Sequence, residues 1–540
     1  MIDAIALLAT AAGAAADGIP SEAALEMAIE DRLAQFLLVL CVSISVAALS
    51  RTVALLRQIP YTLLLVIVGL ALAILDIRLV TLSPELILLI FLPPLLFEAG
   101  WNLEWGNLKQ DLVPICLFAI VGVVISVSGI GWGLHSLAGL SWATALLIGA
   151  SLAATDPVSV IALFRELGVG KRLTVLMEGE SLFNDGVAVV AFLLLLGSAM
   201  ETETLTLPLA IVRFFSFVGI GVGIGSLIGF GISYLTQRFD LPFVEQSLTL
   251  ISAYGTYVVA EELGGSGVIA VVTVGLILGN FGSRIGMNPR TRLIVSEFWE
   301  FVAFLVNSIV FLLIGDQIRF GSLGENVAII AIAIATVIAT RAIGIYGLSM
   351  VSNAIVESDL PFKGQTVLWW GGLRGSVSVA LALSVPDSFA GKEIIIATVF
   401  GVMLFTLLVQ GMTVKPLLER LDLLGDAPER QRYMEAIARR VALDRVLDYL
   451  TKLFERKEIE EEYFDYQRAL VTGQLTGIRD EIAQLQIQHP GFQELLSEQL
   501  QDEMLAIESD TYAEFIRVGR LKDSLSPLLE EVLTAGSERP

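Results

Sequence analysis

The chain has 540 residues, 55% of them hydrophobic and only 17% charged, and its mean hydropathy is +0.76. That is too little polar surface to cover a soluble globule of this length, so the composition predicts an all-α polytopic membrane protein. The formal charge of −22 argues against nucleic acid as a partner, and Cys41 and Cys116 both sit in apolar segments, where they predict neither a disulfide framework nor a metal site.

The first residues, MIDAIALLATAAGAAADGIP, have the small side chains of a signal peptide but carry Asp3 where a basic stretch is needed. Residues 1–30 are therefore read as a short extracytoplasmic or interfacial segment. Apolar windows long enough to cross the ~30 Å core of a bilayer then predict a transmembrane domain over 31–420. Its thirteen spans lie roughly at 33–50, 60–75, 83–100, 112–135, 141–164, 173–199, 208–235, 243–262, 266–281, 293–315, 326–349, 365–385 and 393–417. With that count, one set of loops and termini collects Arg51, Arg57, Lys109, Arg165, Lys171, Arg238, Arg284, Lys363 and Arg420, and the other holds little more than Arg78, Arg319 and Lys392. Basic residues accumulate on the cytoplasmic side, so the N-terminus is placed outside and the C-terminus in the cytoplasm of a cell that carries the protein in its plasma membrane.

Several of these spans carry groups that lipid tolerates poorly. Glu98 ends FLPPLLFEAG in the third span, where Pro93 and Pro94 distort the helix; an interfacial acid near the cytoplasmic end is the plain alternative. The fifth span reads GASLAATDPVSVIALF: Pro157 removes a helical hydrogen bond, and Asp156 follows Thr155 at the gap, where a simple helix-capping role is the plain alternative. Such a break survives only where protein or water re-satisfies the backbone.

The sixth span begins LMEGESLFNDG and places Glu178, Glu180, Ser181, Asn184 and Asp185 ahead of a continuous apolar run. Each carboxylate at that depth costs a few kcal/mol or more, so such groups face a bundle interior or a water-filled cavity and mark an ion or proton pathway. On a 3.6-residue helix Ser181 and Asp185 stack one turn apart, while Glu180 and Asn184 form the adjacent stripe. Hydroxyl and carboxylate then point the same way, which is half of an oxygen cage for a small hard cation with a titratable group built in. The plainer alternative is a helix that begins in the headgroup region, its acids helping its N-terminus.

Arg341 lies deep in the eleventh span, where it needs a buried carboxylate, and Glu180 is the obvious candidate. In the twelfth, WWGGLRGSVSVALALS, Gly371, Gly372 and Gly375 weaken the helix around Arg374, which either counters the partial charges of broken helix ends or pairs with an acid. The two interrupted spans stand seven apart. If spans 1–6 and 8–13 are halves joined by span 7, that odd offset relates them with opposite topology, the arrangement that marks a midplane binding site in a secondary transporter.

After Leu421 the sequence turns charged and amphipathic with helical period, and it carries about half of the net charge. Residues 421–540 are read as an acidic cytoplasmic helical domain with a regulatory role. Gly473, Gly477 and the His489-Pro490-Gly491 turn divide it into about four helices, and His489 is read as a loop residue.

Thr155-Asp156-Pro157, Glu180-Ser181-Leu182-Phe183-Asn184-Asp185, Leu92-Pro93-Pro94 through Glu98-Ala99-Gly100, and Gly371-Gly372-Leu373-Arg374-Gly375 together resemble the sodium/proton antiporters of the NhaP/NHE type, in the monovalent cation:proton antiporter superfamily. The resemblance covers about residues 30–420. It implies thirteen helices in inverted six-helix repeats, a crossed pair of broken helices, a homodimer, and an elevator-like motion of a core domain. It also implies that Asp185 is the main ion and proton carrier, with Asp156, Ser181 and the Thr155 carbonyl as further ligands of Na+. Glu98 would act through water, Glu180 would pair with Arg341, and Asn184, Arg374 and Pro157 would support the site. Glu98 stands where animal members often have aspartate.

The expected activity is exchange of Na+, or Li+, for H+ in the service of pH homeostasis. Asp156 and Asp185 would titrate as a coupled pair, and a proton or a sodium ion would satisfy the site but not both. Only Asp185 of the adjacent pair 184–185 carries a charge, which predicts one-for-one, electroneutral exchange. No cofactor is expected beyond the transported ions, and the protein is not expected to be an enzyme. A K+/H+ or Ca2+/H+ exchanger of the same fold is the first alternative; a cation channel or a transporter-like sensor is the second.

Overall fold

The computed structural model describes residues 22–488, apart from 54–58, 76–78, 81, 201–205, 238–240, 284–286, 288, 357–359, 425–426 and 457, together with a few positions between 504 and 515. The N-terminal segment 1–21, the basic residues Arg57, Arg78, Arg238 and Arg284, and the turn at 489–491 lie outside the described residues.

Among the described residues there is no strand, so the all-α class holds. The helices are α1 (Glu22–Thr52), α2 (Tyr61–Ile74), α3 (Leu86–Asn102), α4 (Trp105–Gln110), α5 (Leu112–Ala138), α6 (Trp142–Ser151), α7 (Val158–Leu167) and α8 (Lys171–Ala199). They continue with α9 (Leu207–Thr236), α10 (Pro242–Glu262), α11 (Gly267–Gly282), α12 (Pro289–Asp316), α13 (Phe320–Glu325), α14 (Val327–Val356), α15 (Phe362–Trp370), α16 (Ser376–Leu383) and α17 (Lys392–Leu421). Two tail helices follow, α18 (Ala427–Glu455) and α19 (Glu461–Gln488).

Seven described helices are long and apolar enough to cross a membrane, within α1, α5, α8, α9, α12, α14 and α17, and α2, α3, α6 and α11 are shorter apolar ones. Large apolar side chains such as Val212, Phe215, Leu227 and Phe230 stand exposed along α9, which suits lipid and not water. The short helices α4 and α13 were not foreseen. Each sits in a connection, just before a long apolar helix, where an interfacial turn satisfies its backbone without crossing.

Two compact units emerge, one made of residues 1–82 with 308–318 and the other of 83–307 with 319–540. In the first, the Ser43 hydroxyl donates to the Ser308 carbonyl at 3.4 Å, Tyr61 and Ser308 share a hydroxyl hydrogen bond, and the Leu79 amide donates to Asp316 at 3.1 Å. These bonds tie α1, α2 and the segment after it to the end of α12. The second unit holds every candidate site residue. Among the described residues four of its helices carry a π turn, at Leu86–Phe91, Leu117–Val121, Leu278–Gly282 and Thr406–Gln410, and such turns recur at functional sites.

The tail departs from expectation. Gly473 and Gly477 do not break it; both lie inside the single helix α19. A glycine in a helix costs about 1 kcal/mol relative to alanine. Here the buried stripe Phe464, Val471, Leu475, Ile482 and Leu485 outweighs that, because helical stability in proteins comes mostly from packing of an apolar face. Tyr433, Ala436 and Ile437 of α18 pack against Ile482 and Leu485, and Arg432 pairs with Glu481 at 2.8 Å, so α18 and α19 form a hairpin.

Candidate ion-binding site

The site is built on two interrupted helices. After Ser151, residues 152–157 leave the helical path before α7 resumes at Val158; after Trp370, residues 371–375 do the same before α16. Pro157 stands just before α7, where its missing N–H costs nothing, and the Asp156 carboxylate accepts from the Val158 amide at 3.0 Å, capping the new helix.

The two breaks lie against each other. The Asp156 amide donates to the Leu373 carbonyl at 2.8 Å, which pairs two backbone groups that neither helix can satisfy. Glycine is required at this contact: a Cβ on Gly375 would stand 2.2 Å from the Asp156 carboxylate, and one on Gly372 would stand 2.1 Å from Nε of Arg341. Arg374 is fully buried, and its Nη1 donates to the carbonyls of Ala153 and Ala154 at 3.1 and 3.0 Å. Of the two roles open to it in the sequence, it takes the first and caps the broken end of α6. Ser378, one turn along α16, adds a bond to the Ala154 carbonyl at 3.3 Å, and the Arg374 amide donates to Thr406 in the π turn of α17 at 3.1 Å. Ser378 was missed in the sequence although it lies four residues from Arg374. Thr406 has no local signal, being one hydroxyl in a long apolar run.

α8 crosses this junction with two stripes. Glu180 and Asn184 are both 2% exposed. Glu180 meets Arg341 of α14 in a bidentate pair at 2.9 and 3.0 Å, and the remaining guanidinium donors reach the carbonyls of Leu368 and Trp369 at 2.9 to 3.3 Å. Asn184 accepts from the Thr155 amide at 3.3 Å and donates to the Thr155 hydroxyl at 2.6 Å and to Glu180 at 3.4 Å. On the other stripe, Ser181 donates to the Thr155 carbonyl. Asp185 is 9% exposed, and its Oδ1 is buried without a hydrogen-bond partner. The charges that reach it are those of Asp156, Arg374 and Glu180.

The structure thus brings Thr155, Asp156, Ser181, Asn184 and Asp185 together at the crossed breaks, with Glu180, Arg341, Arg374 and Pro157 around them. Glu98 stands apart from that cluster among the described contacts. It accepts from Asn102 at 2.5 Å, and the charges around it are Arg165, Glu178 and Glu300, with Arg165 and Glu178 paired at 3.2 Å. Among the described residues no group of three or more His, Cys, Asp or Glu side chains could hold a resident metal ion. What the cluster offers is different: one buried carboxylate with an unsatisfied oxygen, a second carboxylate, a hydroxyl and a carbonyl, a donor set suited to a small hard monovalent cation or to a proton.

Residues 39–420 match the family model described as sodium/hydrogen exchanger, transmembrane. The Na(+)/H(+) antiporter ApNhaP of Aphanothece halophytica is 61% identical over 509 residues, covering 94% of this chain and 98% of that one. The low-affinity Na(+)/H(+) antiporter NhaS1 of Synechocystis is 58% identical over 507 residues, covering 93% and 96%. In fold, the sodium proton antiporter MjNhaP1 of Methanocaldococcus jannaschii at pH 8 superposes with a TM-score of 0.61 at 20% identity, over 74% of this chain and all of that one.

Proposed function

This chain belongs to the sodium/hydrogen exchanger family, and from that premise we propose that it is a multi-pass membrane antiporter that exchanges Na+ for H+ at Asp185. The observation that carries the site assignment is the unsatisfied, buried Oδ1 of Asp185 beside the crossed breaks. A buried carboxylate oxygen left without a partner is costly, and either a proton or a cation removes that cost. The two ligands therefore compete for one group. Sodium takes oxygen from Asp185, Asp156, the Ser181 hydroxyl and the Thr155 carbonyl. A proton on Asp185 instead leaves Ser181 bonded to that carbonyl. Only a neutralised site crosses readily between the two sides, and that restriction turns a moving domain into an obligatory exchanger. Glu98 acts at a distance, through water, on the path to Asp185.

The same reading holds that thirteen crossings form inverted repeats around the site. In support, the two breaks fall seven spans apart in the predicted order, and the short helices α4 and α13 precede the corresponding fourth and eleventh spans. The bias of basic loop residues supports an outside N-terminus and a cytoplasmic tail in the plasma membrane. The family match ends at residue 420, and the whole archaeal chain is matched by 74% of this one, which supports the tail as a regulatory addition to a transport domain at 31–420. A homodimer moving in elevator fashion completes the proposal, with no cofactor.

The test is flux in proteoliposomes: an imposed sodium gradient should drive protons the opposite way, and Li+, K+ and Ca2+ offered in turn rank its selectivity. Single-channel current, or no net flux at all, would replace exchange by a channel or a sensor.

A further inference from the structure

A second polar recess lies on the opposite stripe of α8. Its floor is the Glu180–Arg341 pair with Asn184, and its walls come from α5 and α14, with Ala153 of the first break at its edge; Ser181, Asp185 and Asp156 do not line it. The space open to a water-sized molecule amounts to about 20 Å3, room for about one water. It lies beside the π turn at Leu117–Val121, which carries the lining residue Phe118.

Three features set the character of this space. Glycines hold it open on both walls: a Cβ on Gly344 would meet nothing within 4 Å, and one on Gly122 would make only ordinary contacts, the nearest at 3.8 Å. Ser126 lines it with a hydroxyl that has no hydrogen-bond partner among the described residues. A serine in a helix commonly bonds back to the carbonyl four residues earlier, and Ser151 of α6 does so at 2.9 Å. Finally, the floor is charged. An apolar cavity stays dry, whereas a polar one with room for at least one molecule and two or more partners holds ordered water.

We propose that this recess is a water site at the Glu180–Arg341 pair between α5 and α14, separate from the oxygen cluster that takes the cation. Water there bonds Ser126 and the open side of the pair, and it offsets part of the desolvation that a sealed ion pair would suffer. Asn184 divides the two compartments. Its amide is already engaged with Thr155 and Glu180, and it has no dissociable proton to pass on. Solvent in the recess therefore hydrates the pair without giving protons a leak to Asp185.

Hydroxyl-radical footprinting in lipid nanodiscs tests this, because radicals made from local water oxidise the side chains beside it. Phe118 and Phe192 are both buried, at 3% and 0% exposure, but only Phe118 faces the recess. Phe118 should be oxidised severalfold faster than Phe192. Gly344→Leu, which fills the space, should abolish that difference; Ser126→Val is a second filling variant should the first fail to fold. Added sodium should leave the Phe118 rate unchanged. A Phe118 as unreactive as Phe192 would mean that the recess is dry or filled by a lipid chain, and protection by sodium would make it part of the cation route; either result overturns the proposal.

Discussion

The two stripes of α8 carry the same kinds of residue one turn apart and are treated in opposite ways. Glu180 and Asn184 have their polar groups spoken for: a bidentate arginine, a backbone amide and a hydroxyl. Asp185 keeps a buried oxygen with no partner. A buried charge that is fully paired fixes the packing of the helices around it, since removing one partner strands the other. A buried charge left incomplete is unstable as it stands and is completed only by something that comes and goes. One stripe therefore holds α8 against α14, and the other exchanges ions.

The sharpest way to break that distinction is to neutralise one residue of each stripe. Asp185→Asn keeps the volume and removes the titratable ligand, so sodium-driven proton flux should fall to the background of empty liposomes while thermal stability is kept or raised. Flux retained in that variant would move the carrier elsewhere. Glu180→Gln should do the reverse in kind. It leaves Arg341 buried and unpaired, at a cost of roughly 3–5 kcal/mol for a sealed pair and less where water reaches it. Arg341→Gln should cost a similar amount, and the double variant should recover part of the loss. A thermal-denaturation cycle reads this directly, and strict additivity would show that Glu180 and Arg341 do not stabilise the fold as a pair.

How much of this was legible in the sequence follows the same line. Periodicity and the cost of charge in lipid located the helices, the two breaks and the acids on α8, because those signals are local. Direction was not local. Whether Arg374 capped a helix end or met an acid depended on how the two breaks cross, and only the Ala153 and Ala154 carbonyls in place show it. Glu98 entered beside Asp156 and Asp185 only through its own motif in the family resemblance, as a group acting through water, and it stands with Arg165 and Glu178, since motifs do not state distances. The π turns leave no periodic signature in an apolar run. Gly473 and Gly477 misled because propensity was weighed without the packed stripe that overrides it.

The tail gives a smaller effect. Its described helices α18 and α19 form a hairpin with its own small core, and the tail carries none of the membrane carboxylates. Deleting residues from about 430 onward should leave exchange in place and shift its dependence on pH or ion concentration. Activation curves of the truncated and full chains in the same liposomes measure that shift, and superimposable curves would assign the tail to docking a partner.

The smallest expected effect is none at all, and it probes the ion-exchanging stripe most finely. At positions 184 and 185 only Asp185 can carry charge, and Asn184 is locked to Thr155 and Glu180. If Asp185 trades one sodium ion for one proton, no net charge crosses and the equilibrium sodium gradient should ignore voltage. Were one net charge moved per cycle, about 100 mV would shift the driving force by about 2.3 kcal/mol, roughly fifty-fold in that gradient. Clamping proteoliposomes at a series of potassium/valinomycin potentials and finding the sodium gradient at which proton flux vanishes separates the two cases. A null point that moves with voltage would require a second proton, and Asp156, which already lies at the breaks with one oxygen holding Val158, is the group placed to carry it.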